Sequence, residues 1–529
     1  MFGASFGIIS QALDIYRKSL DIRNRNIINA NNPDYVEEEP VVRSLAPVGI
    51  FFEEVRRDQN IFYLSLRNDK ISVVNYLDER SGVLSNVEGI FQELFEGTGI
   101  NEYVNRFFSA YQDLMKDPTN DGSKAELVNS AKSLVDFMQS KSRDMDKLDQ
   151  SLKFNTSRIV KRINELARKL YTVNKEMTVI YAQTYARGKD YKNLLDERDK
   201  YLRELSELIN IDVQQDEIGR VKVFTSKGFA LVDFVDNYWE LEFSGDRIYW
   251  KSKDGNSVDI TDVLESGKIK AMIDGRSDLQ RFKGEIDAVA KFLISSVKLP
   301  RENSGTWYLI PNVPDRTVNL STFGIDGNLE FYDDSTSPPT LISTISNYGS
   351  LSLDGLEAAI NSDPALASAG ITATVVTNPD GTYSLRIDSS NPSHRIADSG
   401  NNFYESSPVF TGVDLATMDT VSTLSSDVED LDFSLTDTFS EFSNNWWNTS
   451  RDLVQALIND ISTTQADVKD KLRIESALLE SIDRKLQEMQ GVSIDKEFME
   501  IMRIQRTYDA VAKVVTKIDE LLVTTLNMV

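Results

Sequence analysis

The chain has 529 residues, of which 40% are hydrophobic, and a formal net charge of −25. A chain of this length can bury several hydrophobic cores, so we expect three or four domains. Cysteine is absent, which excludes disulfides and thiolate metal sites. His394 is the only histidine, which nearly excludes zinc sites and histidine-based catalytic relays. No apolar run approaches the roughly 18 residues of a membrane span, and the N-terminus lacks the pattern of a cleaved secretory signal.

The negative charge is concentrated in one part of the sequence. Residues 301–450 contain 21 acidic residues, four arginines and no lysine. A surface of this composition repels nucleic acid and anionic membranes and keeps a protein soluble. The pattern favours a solvated outer face over an acidic ligand-binding patch.

The first predicted element is a helix with a seam of apolar residues at a heptad period. Steps of four and three residues separate the seam positions, with one polar interruption at Arg23. The seam consists of Ile9, Leu13, Tyr16, Leu20 and Ile27. A second register lies beside it and consists of Ile8, Ala12, Ile15 and Ile22.

A turn signal follows the first helix, and the chain then becomes extended over residues 35–52. Helical periodicity resumes in four predicted segments. They are residues 77–95, 103–115, 124–148 and 151–183. The last segment repeats apolar residues at heptad spacing without a break and would be about 50 Å long at 1.5 Å per residue.

Beyond Leu208 the apolar period changes from helical spacing to two. A β-hairpin is predicted over residues 239–250, and a helix over residues 278–297. Proline, glycine, serine, threonine and aspartate dominate residues 301–437, which favours a β-rich domain with exposed loops. This domain includes a second predicted hairpin, with strands at 371–376 and 383–387.

The closing part of the chain is helical again. Helical periodicity returns at Trp446 and includes a second long rod from Val468 to Met489. The final helix carries two adjacent apolar registers, like the first helix of the chain. They include Phe498, Ile501, Ile504, Tyr508, Val511, Val515, Ile518, Leu522 and Leu526. Each terminal helix therefore has a stripe wide enough for two or more neighbours, either in the bundle of one monomer or in a tubular polymer.

Motifs that would carry chemistry are weak in this sequence. Ser266-Gly267-Lys268 lacks the upstream glycine of a phosphate-binding loop. Asp254-Gly255-Asn256 lacks the glycine that a calcium loop needs at its sixth position and indicates a β-turn instead. Loop composition around His394 predicts a surface histidine, and Trp446-Trp447 favours packing over a sugar platform. We predict no catalytic residue, no cofactor and no metal.

Sequences at both ends resemble bacterial flagellar axial proteins. Residues 26–35 read Asn-Ile-Ile-Asn-Ala-Asn-Asn-Pro-Asp-Tyr, which is similar to the asparagine-rich signature that follows the first helix of these proteins. Here Asp34 stands where glycine is usual. Residues 491–497 and the Gln505-Arg506-Thr507-Tyr508 run resemble their closing helix. In the middle, residues 193–199 and 267–276 resemble two blocks of the hook-associated protein 1 (FlgK) family.

This resemblance implies a multidomain α+β fold in which both arms of the chain build terminal helices and long helical rods, with inserted β-rich domains. It also implies a division into four parts. The expected parts are a terminal inner domain, 1–52 plus 491–529, disordered in the monomer; a helical rod domain, 53–210 plus 278–298 plus 438–490; a small β-rich module, 211–277; and an acidic, variable outer domain, 299–437.

The resemblance further implies a structural protein of the bacterial flagellum that forms a junction ring between hook and filament. The implied partners are other copies, hook protein, the other filament-junction hook-associated protein and an export chaperone on the C-terminal helix. Neither nucleic acid nor membrane is expected as a partner. The expected location is extracellular, after export without a cleaved signal peptide. The alternatives are another axial protein of hook or rod type, a secreted coiled-coil adhesin, or a glycan hydrolase.

The expected assembly interface combines the two terminal helices with the turn signal that follows the first. Its members are Ile9, Leu13, Tyr16, Leu20, Ile27, Asn29, Pro33, Tyr35, Phe498, Ile501, Tyr508, Val511, Val515, Ile518, Leu522 and Leu526.

Overall fold

The computed structural model describes residues 2–31, 35–45, 49–57, 59–91, 99–187 and 192–526. Its architecture is multidomain α+β, as the sequence predicts. The chain forms two compact units: one contains Met1–Arg80, Lys153–Asp274 and Val468–Val529, and the other contains Ser81–Leu152 and Gly275–Asp467. We call them the terminal unit and the central unit. No helix among the described residues is both long and apolar enough to cross a membrane.

The helices of the described chain are α1 Phe2–Ile28, α2 Ile61–Phe91, α3 Ile100–Lys116, α4 Asp121–Arg187, α5 Lys192–Leu208, α6 Lys268–Ser296, α7 Leu353–Ser362, α8 Pro364–Ser368, α9 Leu424–Asp427, α10 Thr436–Gln490 and α11 Ile494–Leu526. The strands are β1 Glu38–Leu45, β2 Gly49–Arg57, β3 Ile211–Gln215, β4 Val221–Thr225, β5 Ala230–Val232, β6 Leu241–Ser244, β7 Arg247–Lys251, β8 Ser257–Asp259, β9 Lys298–Pro300, β10 Thr306–Leu309, β11 Leu329–Asp333, β12 Thr340–Ile345, β13 Ile371–Thr377, β14 Tyr383–Ser389, β15 His394–Asp398, β16 Phe403–Pro408, β17 Phe410–Thr411 and β18 Asp419–Thr420.

The terminal unit joins both chain ends to a small β module. β1 and β2 form an antiparallel hairpin after α1. β3, β4 and β5 form one small sheet, and β6, β7 and β8 form another. The core of the module is shared with α4 and α5, whose apolar residues lie against those of the strands. The heptad repeat predicted for residues 151–183 therefore faces a β module as well as another helix.

Two asparagines of α4 attach the β module to the helix. Asn174 donates from Nδ2 to the Val221 carbonyl at 2.8 Å and accepts from the Val221 amide at 3.0 Å. Asn164 makes the same pair of bonds with Leu241, at 2.8 and 2.9 Å. A side-chain amide that bonds both backbone groups of one residue takes the place of a neighbouring strand. These two contacts fix where β4 and β6 begin.

The central unit contains the acidic β-rich region. Its larger sheet has the order β13-β14-β10-β16-β9, and a smaller sheet has the order β12-β11-β15. β13 and β14 pair as an antiparallel hairpin, which confirms the hairpin predicted at 371–387. An aromatic cluster built on α3 and α10 buries Trp446, and the indole of Trp447 donates to Asn105 at 2.8 Å. The tryptophan pair is therefore a packing element, as predicted.

The two helices predicted at 124–148 and 151–183 are one helix. α4 runs without interruption for 67 residues. The short polar run at residues 149–151 suggested a break, but it contains neither glycine nor proline. Met145, Leu152 and Thr156 are buried on either side of it, so packing holds the run in helical conformation.

We expect Asn174→Ala to destabilise the terminal unit by about 2–3 kcal/mol, because both backbone groups of Val221 lose a buried partner. Hydrogen exchange of the Val221 amide should accelerate in the variant. Thr172→Ala, an exposed change on the same helix, is the matched control and should leave that exchange rate unaltered. Unchanged protection of Val221 in Asn174→Ala would show that the paired amide does not hold the strand.

Candidate assembly site at the paired chain ends

The first and last helices of the described chain pack against each other. α1 contacts α11, and it also contacts both strands of the β1–β2 hairpin. The side of α1 that is buried in this arrangement carries Ala12, Ile15, Ser19 and Ile22. On α11 the buried apolar residues are Ile501 and Ile504. The buried apolar residues of α1 thus belong to the second of the two registers described above.

The structure distributes the expected interface residues over buried, half-buried and exposed positions. Ile501 is buried, and Phe498 is 53% exposed. Half-buried positions are Ile9, Leu13, Tyr16, Leu20, Ile27, Asn29, Tyr35, Tyr508, Val511, Val515 and Ile518. Pro33 and the side chains of Leu522 and Leu526 lie outside the described part of the structure. Their role in assembly stays a prediction.

A buried ion pair joins the two ends. Arg23 Nη1 lies 2.8 Å from Glu497 Oε1, across a separation of 474 residues. Glu497 is fully buried and Arg23 is nearly so. Arg23 also lies 3.6 Å from a carboxylate oxygen of Glu37. The polar residue that interrupts the seam of the first helix is therefore the one that binds the last helix.

Asn26 is the centre of the hydrogen bonds around this pair. Its Nδ2 donates to Glu497 Oε1 at 3.0 Å and to the Glu38 carbonyl at 2.9 Å. Its Oδ1 accepts from the Glu38 amide at 3.1 Å and from the Tyr35 hydroxyl at 2.7 Å. Asn26 thus links α1, the start of the hairpin and α11, and all of its side-chain hydrogen-bonding groups are used.

The electrostatics of the cluster reflect burial. Burial raises the pKa of the Glu497 carboxyl, although hydrogen bonds from Asn26 and Arg23 oppose that shift. Glu497 Oε2 and Arg23 Nε are buried without a hydrogen-bond partner in the described structure. At the edge, Lys496 Nζ lies 2.9 Å from Glu37 Oε1, and this hydrogen bond raises the pKa of Lys496. Buried polar atoms without a partner cost free energy, so this cluster adds little to stability. Because its hydrogen bonds form in only one geometry, it selects one arrangement of the two helices.

A second polar cluster attaches the β1–β2 hairpin to α5. Arg57 at the end of β2 lies 2.7 Å from Asp196 and 3.5 Å from Asp199. Gln59 donates to Asp199 at 2.9 Å. Burial, with the nearby Asp199 and Glu38 charges, raises the pKa of Asp196 to about 6 despite the opposing Arg57. These acids belong to the 193–199 block of the sequence. Their ion pairs with Arg57 cannot be predicted from the sequence, because Arg57 is about 140 residues away.

A cavity of about 390 Å³ lies among the end of α1, the start of α2, α5 and the end of α10. Charged residues in its wall are already paired. Arg67 Nε lies 2.7 Å from Asp483, and Arg198 Nε donates to Asp199 at 2.8 Å. Among the residues that the structure describes, no group of three or more histidines or acids is placed to hold a metal ion.

The prediction of a surface histidine is wrong, because His394 is only 8% exposed. It lies in β15, with Nδ1 2.7 Å from Ser389 Oγ and Nε2 3.1 Å from Asn391 Nδ2. Asn391 Oδ1 accepts the Ser393 amide at 3.0 Å, so Nδ2 is the atom that donates to Nε2. The ring proton is then on Nδ1 and is donated to Ser389.

α11 keeps an apolar face that the structure leaves uncovered. Phe498 and Met502, one turn apart, are 53% and 49% exposed. Further exposed apolar residues on this helix are Ile494, Met499, Val514, Leu521 and Val523. An exposed row of phenylalanine and methionine on a helix is typical of a surface that binds another chain.

Parts of this chain are similar to known flagellar proteins. A model of the flagellar hook-associated protein FlgK helical domain matches residues 84–298, and a model of the flagellar basal body rod FlgEFG protein C-terminal region matches residues 485–528. Flagellar hook-associated protein 1 of Bacillus subtilis strain 168 is 22% identical over 242 residues, covering 43% of this chain and 47% of that protein. Over these residues the chain is similar to the flagellar hook-associated protein 1 family.

Other members of the hook-associated protein 1 family match over a similar extent. The protein from Salmonella typhimurium strain LT2 is 18% identical over 229 residues, covering 42% of this chain and 41% of its own length. The matches thus span less than half the length of these two relatives. The flagellar hook junction protein FlgK from Burkholderia pseudomallei aligns with a TM-score of 0.44 at 15% identity, covering 69% of this chain and 66% of that structure.

We expect Arg23→Met to weaken the pairing of α1 and α11 by about 3–5 kcal/mol, because Glu497 is left as a buried charge without its ion-pair partner. Hydrogen exchange of α11 amides, followed in the assembled protein, measures the effect. Combining Arg23→Met with Glu497→Met should restore most of the protection. The control is Arg17→Met on the exposed side of α1, which should change protection by less than about 0.5 kcal/mol. Equal exchange in all four proteins would show that the ion pair does not join the helices.

The raised pKa of Asp196 gives an expected pH dependence. The folded state binds this proton up to about pH 6, whereas the unfolded chain releases it near pH 4. The contribution of Asp196 to stability is therefore present below pH 4 and is lost as pH rises from about 4 to about 6. Asp196→Asn should flatten that part of the curve of unfolding free energy against pH. Asp14→Asn, an exposed change, should not; identical curves for wild type and Asp196→Asn would contradict the assignment.

Proposed function

We propose that this chain is a structural component of the bacterial flagellum that joins hook to filament by axial polymerisation of its terminal helices. The observation that carries the proposal is the joining of α1 and α11 through the buried Arg23, Asn26 and Glu497 cluster while Phe498 and Met502 stay exposed. The buried cluster fixes one relative position of the two helices. The exposed face is then presented in a constant geometry to other copies, which is what a repeating assembly needs.

The proposal extends to the organisation of the four parts. We propose that residues 1–52 with 491–529 form an inner layer and that the helical rods 53–210, 278–298 and 438–490 surround it. The β modules 211–277 and 299–437 would lie further out. The acidic composition of residues 301–450 supports an outer position, because repulsion between like charges opposes close packing. In the free monomer, the terminal helices are proposed to be disordered, since helices of this length are marginal without neighbours.

The partners proposed for the assembly are further copies in a ring, hook protein on one side and the other filament-junction hook-associated protein on the other. An export chaperone is proposed to cover α11 before assembly, since Phe498, Met499 and Met502 would otherwise be exposed to solvent. The location is the extracellular flagellum. The role is proposed to be structural and not enzymatic.

Substitution of the exposed face of α11 tests this function. In cells that lack the native chain, a chain with Phe498→Asp and Met502→Asp should be exported but should fail to support filaments on existing hooks. Both side chains are about half exposed, so the fold of one copy is expected to survive, which circular dichroism of the purified chain can check. Deletion of residues 495–529 should give the same loss.

The matched control is Gln505→Asp, which adds a charge at an exposed polar position of the same helix. Filament number per cell, counted by electron microscopy, should be normal in this control. Normal filaments on hooks in the Phe498→Asp and Met502→Asp chain would overturn the proposed role of the terminal helices.

A further inference from the structure

One face of α4 carries a row of basic side chains in a chain that is strongly acidic as a whole. Between residues 153 and 176 the sequence contains seven lysines and arginines and two glutamates, although the whole chain has a net charge of −25. Four of the basic residues lie on one exposed side at steps of three and seven residues. We call them the α4 basic stripe: Arg158, Lys161, Arg168 and Lys175.

The α4 basic stripe is not neutralised within the terminal unit. Within the described residues, none of its four members has an ion-pair partner; Lys175 stacks on the Tyr171 ring with its nitrogen 5.4 Å from the ring centre. Glu165, which lies between Lys161 and Arg168 on the same side, is paired with Arg162 at 3.1 Å. Neighbouring Arg162 also binds Glu204, so Glu165 and Glu204 are already occupied. Glu176, next to Lys175, is exposed and has no ion pair among the described residues. An unpaired row of this length is a surface for a negatively charged partner.

A complementary row exists on another part of the same chain. Along the first turns of α10, Asp437, Glu441 and Asp452 are exposed on one side, with the exposed amides of Asn445 and Asn448 between them. We call these residues the α10 acidic stripe. None of its three acids has an ion-pair partner in the described residues, and residues 396–450 contain no lysine or arginine. Arg451, which precedes Asp452 on α10, donates to Asn448 at 3.1 Å.

The two stripes match in length as well as in charge. At 1.5 Å per residue, the α4 basic stripe spans about 25 Å and the α10 acidic stripe about 23 Å. Both follow a helix at near-heptad spacing, so two helices lying side by side can bring opposite charges into repeated contact. We propose that the α4 basic stripe of one copy packs against the α10 acidic stripe of a second copy.

This contact joins two different surfaces, so it is heterologous. A heterologous contact leaves one unused stripe on each end of a pair, and repetition closes a ring or extends a helical array. The inference rests on the proposed function only in that copies of the chain polymerise. It adds a second, salt-sensitive contact outside the terminal helices. That contact determines that the α4 basic stripe of one copy faces the α10 acidic stripe of its neighbour.

The test uses full-length chains with charges reversed on one stripe at a time. One variant carries Arg158→Glu and Arg168→Glu, and the other carries Asp437→Lys and Glu441→Lys. Self-association is measured by sedimentation velocity at about 0.1 M and about 1 M salt, since the screening length falls from about 10 Å to about 3 Å over that range. Each variant alone should associate roughly tenfold more weakly than wild type at the lower salt. An equal mixture of the two should recover association at low salt.

The matched control reverses two other exposed charges of the same helix, Lys132→Glu with Arg143→Glu, and so changes net charge equally. It should associate like wild type. Unchanged association of the Arg158→Glu and Arg168→Glu chain overturns the proposal, and so does a mixture that fails to recover. Binding of wild type to vesicles of phosphatidylserine and phosphatidylcholine, with no effect of the reversals on self-association, would assign the stripe to a membrane instead and also overturn it.

The Phe498→Asp and Met502→Asp chain separates this inference from the proposed function. If that chain associates normally and the charge-reversed chains do not, the terminal-helix function fails and the stripe contact stands. If the charge-reversed chains associate normally and the α11 variant does not, the terminal helices carry assembly alone and the stripe contact fails.

Discussion

The ion pair between Arg23 and Glu497 is the interaction on which the arrangement of the chain ends depends. It connects residues 474 positions apart, and both side chains are almost completely removed from water. Apolar stripes alone would let two helices slide or rotate against each other at small energetic cost. A buried carboxylate, by contrast, tolerates only the register in which Arg23 and Asn26 reach it. The hydrophobic contact therefore supplies affinity, and the polar cluster supplies uniqueness.

The same division of labour recurs inside the terminal unit. Apolar residues of α4 bury the β module, whereas Asn164 and Asn174 decide which strand residues meet the helix. Likewise Asp196 and Asp199 hold Arg57 at the end of the β1–β2 hairpin. In each case a few polar side chains determine how a strand is positioned on a helix, because the apolar contacts between them would allow several positions.

Helical and strand periodicity predicts most elements of this chain, because burial on one side forces a period of 3.6 or 2. The hairpin at 371–387 and the helix at 103–115 follow from such patterns. The polar clusters do not follow from periodicity. In the sequence, Arg23 only interrupts the apolar seam of the first helix, and Asn26 belongs to a segment that resembles a turn signature. Their role depends on a partner 471 or more residues away. The burial of His394 does not follow from the sequence either, because the loop composition around it does not show that β15 pairs with β11 in one sheet.

The long separation between Arg23 and Glu497 has a consequence for the order of folding. Closing so large a loop costs more conformational entropy than any contact within α4 or the β module, and contacts of this kind form late. α1 cannot find its buried partner until α11 is available, and α11 is the last described element of the chain. Pairing of the ends is thus a natural final step. Until it occurs, Arg23 stays hydrated and the apolar stripe of the first helix lacks the packing that would hold this segment in helical form.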